Sequence, residues 1–303
     1  MSTQVLLDAK LPIPLFIRGK VRDTYELGNL LIIIATDRIS AFDSVLPCGI
    51  PNKGLVLNQL SAFWFEKTRD LIPNHLIEVV NDVHRLDSYL PVESHFPYPP
   101  YLSGRSMIVK KAKRIPVECV VRGYLSGSAW AEYQQHGTVS GYPLPEGLQE
   151  SQELSQPLFT PTTKAESGHD LPLSMDEMKK LVGETLAEET REKSLAIYTY
   201  AREYARAKGI IIADTKMEFG LDDDKLILID ELLTPDSSRF WDIAQYKVGQ
   251  SQPSYDKQPV RDWLTESGWN KEPPAPMLPP EVIEATGERY EQAYERLAGR
   301  KLK

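Results

Sequence analysis

Apolar and polar positions between residues 210 and 230 follow two different rhythms. Ile210-Ile-Ile-Ala213 and Leu226-Ile-Leu-Ile229 are almost continuous apolar runs, the pattern of strands covered on both faces. Between them Asp214, Lys216 and Glu218 alternate with Thr215, Met217 and Phe219, so a strand sets three charged groups on one face. Leu221-Asp-Asp-Asp-Lys225 predicts a turn, after which a second strand runs back and ends at Asp230. If that hairpin pairs even with even positions, Asp230 comes to lie beside Lys216 and Glu218. A solvated strand face is the alternative. Charges inside so apolar a strand are strongly unfavourable unless they are paired or bind a metal, and this favours a site.

The same patterns predict the other elements. Residues 13–17, 21–27 and 30–35 read as short strands joined by Gly19-Lys20 and by the hairpin dipeptide Gly28-Asn29. Leu57, Leu60, Phe63 and Trp64 mark a helix over 55–67. Strands at 106–110 and 117–121 are split by 111–116, and a domain boundary is expected there, dividing 1–112 from 113–303. The stretch 137–169, rich in Gly, Pro, Ser and Gln, reads as a long loop. Ser174 with Glu177 forms a capping box opening a helix that stops at Gly209, kinked or divided at Gly183. A last amphipathic helix covers 280–297. A strand-rich first half and a mixed second half predict an α+β protein.

Composition narrows the function. The chain has 303 residues, enough for one large domain or two small ones, and 41% hydrophobic with 26% charged residues is ordinary for a soluble protein. A net charge of −8 argues against nucleic-acid or anionic-membrane binding, so an anionic ligand needs a local basic cluster. Cys48 and Cys119 suggest neither a zinc site nor a disulfide framework, and no secretory signal or membrane span is visible. A cytoplasmic protein is expected.

Several clusters carry candidate chemistry. Mg²⁺ takes one or two carboxylates with phosphate oxygens, and a lysine neutralises developing charge. Glu218, Asp230 and Lys216 therefore suit a metal–triphosphate site. Arg18-Gly19-Lys20-Val21-Arg22-Asp23 suits a hairpin closing over a nucleotide, with Gly19 admitting the backbone close to phosphate; an exposed hairpin is the alternative. Arg122, followed by Gly-Tyr-Leu-Ser-Gly-Ser128, suits a phosphate monoester, or is a solvated arginine opening a loop. The polar stretch around Lys164 reads on its own as surface, and His169 alone is no evidence for acid–base catalysis. Asp37, Ser40 and Asp43 after the buried third strand form either a site or a salt-bridged corner. Arg239 and Arg261 complete the cationic set.

Taken in order, these motifs resemble the SAICAR synthetase family, the phosphoribosylaminoimidazole-succinocarboxamide synthases. The residues that carry the resemblance include Gly-Lys-Val-Arg-Asp at 19–23, Ala-Thr-Asp-Arg-Ile-Ser-Ala-Phe-Asp at 35–43 and Pro-Val-Glu-Cys-Val-Val-Arg-Gly-Tyr at 116–124. Further matches are Gly-Ser-Ala-Trp at 127–130, Phe-Thr-Pro-Thr-Thr-Lys-Ala-Glu at 159–166 and Ile-Ile-Ala-Asp-Thr-Lys-Met-Glu-Phe-Gly at 211–220. The segments at 230–241 and 254–258 complete the series. Relatives often carry Phe or Leu where this chain has Met217, which lies on the strand face away from the charges.

The resemblance implies a kinase- and ATP-grasp-related α+β fold, with an N-terminal antiparallel subdomain covering ATP and a cleft before a larger α/β domain. It implies an ATP-dependent ligase joining L-aspartate to the carboxylate of carboxyaminoimidazole ribonucleotide (CAIR). The products are SAICAR, ADP and phosphate, formed through an acyl phosphate. The length and the Gly-Tyr-Leu-Ser-Gly-Ser-Ala-Trp sequence at 123–130 resemble the fungal single-function form, which implies a monomer. Arg18, Gly19, Lys20, Val21 and Arg22 would lie on the ATP phosphates and Lys110, Lys111 and Ala112 beside adenine. Glu218 and Asp230 would hold Mg²⁺, and Lys216 would bridge the γ-phosphate and the substrate carboxylate. Arg122, Ser128 and Arg261, with Arg239 close by, would hold the CAIR phosphate, and Asp214 the imidazole amine or ribose. Asp37, Ser40, Asp43 and Lys164 are the candidates for aspartate. A small-molecule kinase and a nucleotide-sensing module without turnover remain the competing readings.

Overall fold

The short apolar runs of the N-terminal third become strands because each is bounded by a turn. In the computed structural model, which describes residues 5–164 and 170–302, they form β1 (Leu15–Arg18), β2 (Arg22–Leu27) and β3 (Leu30–Ala35). Gly28, at φ 64°, makes the expected two-residue turn, and Leu27 pairs with Leu30 across it. A small hairpin of β4 (Arg38–Ala41) and β5 (Ser44–Gly49) leads to α1 (Lys53–Lys67), β6 (Leu76–Val79) and β7 (Ser106–Lys110). Next come β8 (Lys113–Tyr124), α2 (Ser128–His136), β9 (Thr138–Val139), β10 (Tyr142–Pro143), β11 (Glu153–Phe159) and β12 (Thr162–Thr163). The chain continues through α3 (Met175–Val182), α4 (Glu184–Ala207), β13 (Ile210–Asp222), β14 (Lys225–Ile229), β15 (Ser238–Asp242), α5 (Gln258–Glu266) and α6 (Pro280–Ala298). The fold is α+β.

Two antiparallel sheets carry the site. The first has the order β1-β2-β3-β7-β6; the second has β11-β8-β13-β14, with β12 added to β8 and β15 to β13. The chain passes from one to the other between Lys110 and Lys113. The backbone of His75 ties them together there, donating to Leu228 O at 3.0 Å and accepting from Lys110 N at 2.8 Å. A shared core fills the space behind. Val56, Leu57, Leu60 and Trp64 of α1 pack in one cluster with Met217 and Phe219 of β13 and Ile197 and Tyr198 of α4.

Four expectations are corrected. The second strand of the presumed split begins at Lys113 and runs through Pro116, so the connection is only Lys111-Ala112. Pro116 is tolerated because the ladder with β13 is irregular there, stepping from Glu218↔Glu118 to Gly220↔Arg114. The stretch 137–169 is not a structureless loop: Glu153–Phe159 is a strand pairing with β8. As an edge strand it faces water on one side, so its polar Ser, Gln and Pro hid it from a search for apolar runs. Helices α2 and α5 were not expected. Finally, the β13–β14 hairpin pairs even with odd positions, Glu218 with Ile229, around Asp223-Asp224, both at positive φ.

Other expectations hold. Ser174 and Glu177 form the capping box, and Gly183 at φ 89° divides the long helical region in two. His169, with Ala165 and Glu166 of the 159–166 motif, lies outside the described residues.

Candidate active site

A cavity of about 890 Å³ opens between the two sheets, walled by the β1–β2 turn (Gly19, Lys20, Val21, Arg22), by Leu31 and Ile33 of β3, and by Glu118, Lys216 and Glu218. A smaller cavity of about 280 Å³ shares Lys216, Asp236, Ser237 and Arg261 with it and adds Arg122, Ser128, Asp214 and Arg239.

Strand alternation sets the charged face of β13, but a bulge makes it possible. Opposite β15 the pairing steps from Ile212↔Phe240 to Asp214↔Arg239, leaving Ala213 as an extra residue. Unbroken alternation would put Ile210 and Ile212 on the face of Asp214, Lys216 and Glu218. The bulge flips them, and they join Met217 and Phe219 in the core. Asp230 arrives differently from the predicted register. It lies just past β14 with φ 67°, and this left-handed turn of the backbone, uncommon for a non-glycine residue, brings it to the cavity wall.

Four carboxylates and three cations interlock there. Lys164 Nζ lies 2.5 Å from Glu118 and 2.6 Å from Glu218, and Lys216 Nζ lies 2.8 Å from Glu118. Arg22 lies 2.7 Å from Asp230 and 3.5 Å from Glu231. Burial and then the charge of Asp230 push the Glu218 carboxyl up, against Lys164. Burial also opposes ionisation of Asp230, but the cations around it, Arg22 first and then Lys164, together hold that carboxyl low. For Lys164, burial is outweighed by Glu218 and Glu118, and the ammonium is held above its ordinary range. Glu118, at the centre of this group, was missed. A lone glutamate in the apolar run Val117–Val121 was the available signal.

In the smaller cavity Asp214 lies between two arginines, 2.5 Å from Arg239 Nη1 and 3.5 Å from Arg122 Nη1. Arg122 donates to Thr160 Oγ1 at 3.1 Å and to Ser128 Oγ at 3.4 Å. It lies within β8, two residues before its end. Gly127, at φ 58°, holds a backbone conformation that side-chain-bearing residues rarely adopt, and a Cβ there would also press on the Arg239 guanidinium. Arg261 lies 3.7 Å from Asp256.

The hairpin turn is fastened from below. Arg38 donates to the carbonyls of Gly19 and Lys20, each at 3.0 Å, and to Asp23 at 2.8 Å. Lys20 pairs with Asp43 at 2.5 Å, and Ser40 lines the cavity beside them. Lys110, paired with Asp222 at 2.7 Å, and Ala112 also line it.

Three predicted site residues do not reach the cavity. Arg18 turns to Asp8 at 2.8 Å and Asp23 at 3.2 Å. Lys111 pairs with Glu26 at 2.8 Å and covers the Phe16 ring. Asp37 is wholly buried, accepting from Leu6 N and Gly54 N and pairing with Arg105 at 3.0 Å, so it is the salt-bridged corner.

The groups present suit charge placement rather than covalent catalysis. Burial lowers the His75 imidazole to about 4, so this cavity residue is neutral near pH 7. Cys119 is buried and its thiol pushed up. Among the described residues no group of three or more His, Cys, Asp or Glu stands close enough to hold a metal unaided. Glu218, buried, and Asp230, half-buried on the cavity wall, repel each other and fit Mg²⁺ that completes its shell with phosphate oxygens and water. No helix among the described residues is long and apolar enough to cross a membrane.

The SAICAR synthetase family model matches residues 15–276. A phosphoribosylaminoimidazole-succinocarboxamide synthase of Thermodesulfovibrio yellowstonii is 54% identical over 291 residues, covering 96% of this chain and 97% of the relative. One of Maridesulfovibrio salexigens is 50% identical, covering 100% and 99%. Bacterial relatives thus match over their whole length, so length does not mark the chain as fungal. The solved SAICAR synthase of Saccharomyces cerevisiae complexed with SAICAR superposes with a TM-score of 0.88 at 45% identity, covering 98% of this chain and 99% of that one. A SAICAR synthetase solved in complex with ADP gives 0.67 at 26% identity, covering 95% and 99%. With this match running through fold and site alike, the chain belongs to the SAICAR synthetase family and is a ligase.

Proposed function

We propose that this ligase uses ATP to join L-aspartate to the CAIR carboxylate, through an acyl phosphate. The observation that carries the reading is Lys216, which stands on the wall common to both cavities. On one side are the carboxylates Glu218 and Asp230; on the other are Arg122, Arg239 and Ser128.

A carboxylate is a poor acyl donor and needs a leaving group. A CAIR carboxylate oxygen attacks the γ-phosphorus, the bond to the bridging oxygen breaks, and ADP departs. The neutral aspartate amine then attacks the acyl carbon. Phosphate leaves with the former carboxylate oxygen, and the amine loses its remaining extra proton as the amide forms. Lys216 holds the γ-phosphoryl group and the CAIR carboxylate together and offsets the charge that develops between them. Lys20 and the Gly19 turn cover the phosphates, with Arg22 behind them. Glu218 and Asp230 would hold Mg²⁺, which supplies charge neutralisation on the phosphates when bound. Arg122, Ser128 and Arg261 take the CAIR 5′-phosphate, with Asp214 and Arg239 beside the ribose and base. Adenine lies along the Lys110–Ala112 crossover, and aspartate enters near Ser40, Asp43 and Lys164.

Residues 1–112 serve as the unit covering ATP and 113–303 as the unit carrying the metal and CAIR sites; the change of sheet at the crossover supports this division. The working form is a cytoplasmic monomer, which size-exclusion chromatography with light scattering tests. The reaction is tested by measuring ADP release with ATP, Mg²⁺, CAIR and aspartate, omitting each in turn. Continuous release, beyond one equivalent per enzyme, only when all four are present is expected. Continuous release without aspartate favours a kinase, and nucleotide binding with no release favours a sensor.

A further inference from the structure

Lys53 is a lysine in an unfavourable place. It opens α1 with none of its surface exposed, in the first turn, where the helix's partial positive charge opposes a cation. Burial pushes its ammonium below the ordinary range, with Asp236 opposing that shift and Lys257 adding to it. Its Nζ lies 2.8 Å from Asp236 Oδ2, and Lys257 Nζ lies 3.3 Å from the same oxygen. Tyr290 of α6 donates to Asp236 Oδ1 at 2.7 Å. The carboxylate is therefore gripped from behind by α1 and α6 while it lines both cavities.

A buried ion pair adds little net stability over apolar packing, so stability alone does not account for Lys53. Charge does. Two lysines share one carboxylate, leaving a net positive charge, and of the two only Lys257 lines the main cavity. Lys164 and Lys216 are committed to Glu118, and Arg22 to Asp230.

We infer that Lys53 is a positioning residue: by occupying Asp236 from the core side, it leaves Lys257 as the cation that receives a carboxylate of the amino-acid substrate. The inference rests on the ligase reading and gives the carboxylate contact of aspartate to Lys257 rather than to Lys164, which Glu118 and Glu218 hold. Without Lys53, Asp236 draws Lys257 to itself and its own negative charge faces the cavity.

The test is steady-state kinetics of the wild type, Lys53→Met, Lys257→Met and the double variant, with aspartate and ATP varied separately. Each single substitution is expected to raise the aspartate KM about tenfold or more, the scale of one charged hydrogen bond, with kcat changed less than about threefold. The ATP KM stays unchanged. Because Lys53 acts through Lys257, the double variant is expected to be no worse than Lys257→Met alone. Additive losses, or an ATP KM rising in step, overturn the inference. Should Lys53→Met fail to fold, Tyr290→Phe, which removes one donor from Asp236, serves in the same cycle and is expected to give a smaller, equally non-additive rise. Wild-type ADP release that ignores aspartate overturns the ligase reading and this inference together. Aspartate-dependent release with additive variants overturns the inference alone.

Discussion

Glu118 and Glu218 stand directly opposite each other on neighbouring strands β8 and β13, and Lys164 donates to both. Like charges facing across a ladder repel, so the two strands are joined here by a cation from a third segment. The site and the fold thus share one charge group.

Removing that cation is expected to destabilise the protein. Lys164→Met should lower the unfolding free energy by about 3 kcal/mol or more, the range for breaking a buried pair from one side. Urea titration reads it. An unchanged midpoint would show that the two glutamates are not neutralised by Lys164.

Lys216→Ala and Asp230→Asn are each expected to lower turnover by roughly a hundredfold or more, the scale of removing one preorganised charged group. Single-turnover ADP release with saturating substrates measures the loss. Nearly full activity in both variants contradicts their assignment.

Arg122→Ala is expected to weaken CAIR binding by about 2–5 kcal/mol, the cost of truncating one side of a desolvated charge pair. Calorimetric titration with CAIR gives the dissociation constant directly. An unchanged constant excludes the arginine from the phosphate pocket.

Asp236 gives the acid limb a defined sign. Burial opposes its ionisation, but Lys257 and Lys53 outweigh it and hold the carboxyl well below its ordinary 3.8. On acidification the unfolded chain takes the proton first. The contribution is therefore complete above pH 3.8 and is lost as the pH falls from there through the folded value. Unfolding free energies from neutral pH down to about pH 2 are expected to fall less steeply for Lys53→Met/Asp236→Asn than for the wild type. Equal slopes would contradict the placement.

What was legible in the sequence was local. The alternation of Asp214, Lys216 and Glu218 with apolar neighbours fixes one strand face whatever the tertiary context, and Ser174 with Glu177 fixes a helix start. The motifs that carry the family resemblance were legible for the same reason. What was hidden depends on partners far along the chain. Asp230 reaches the cavity through a left-handed backbone turn that no parity argument contains. Arg18 and Lys111 belong to correct motifs, but acidic neighbours Asp8, Asp23 and Glu26 draw them away. Lys53 lies outside the helix expected over 55–67, and its burial depends on contacts with Asp236 and with Tyr290 of α6, far along the chain.

The acyl phosphate is tested most directly by following an oxygen atom. CAIR labelled with ¹⁸O in its carboxylate is turned over with unlabelled ATP and aspartate, and the phosphate is analysed by mass spectrometry. The account predicts one labelled oxygen in each phosphate formed. Phosphate free of label, with product forming normally, would contradict it.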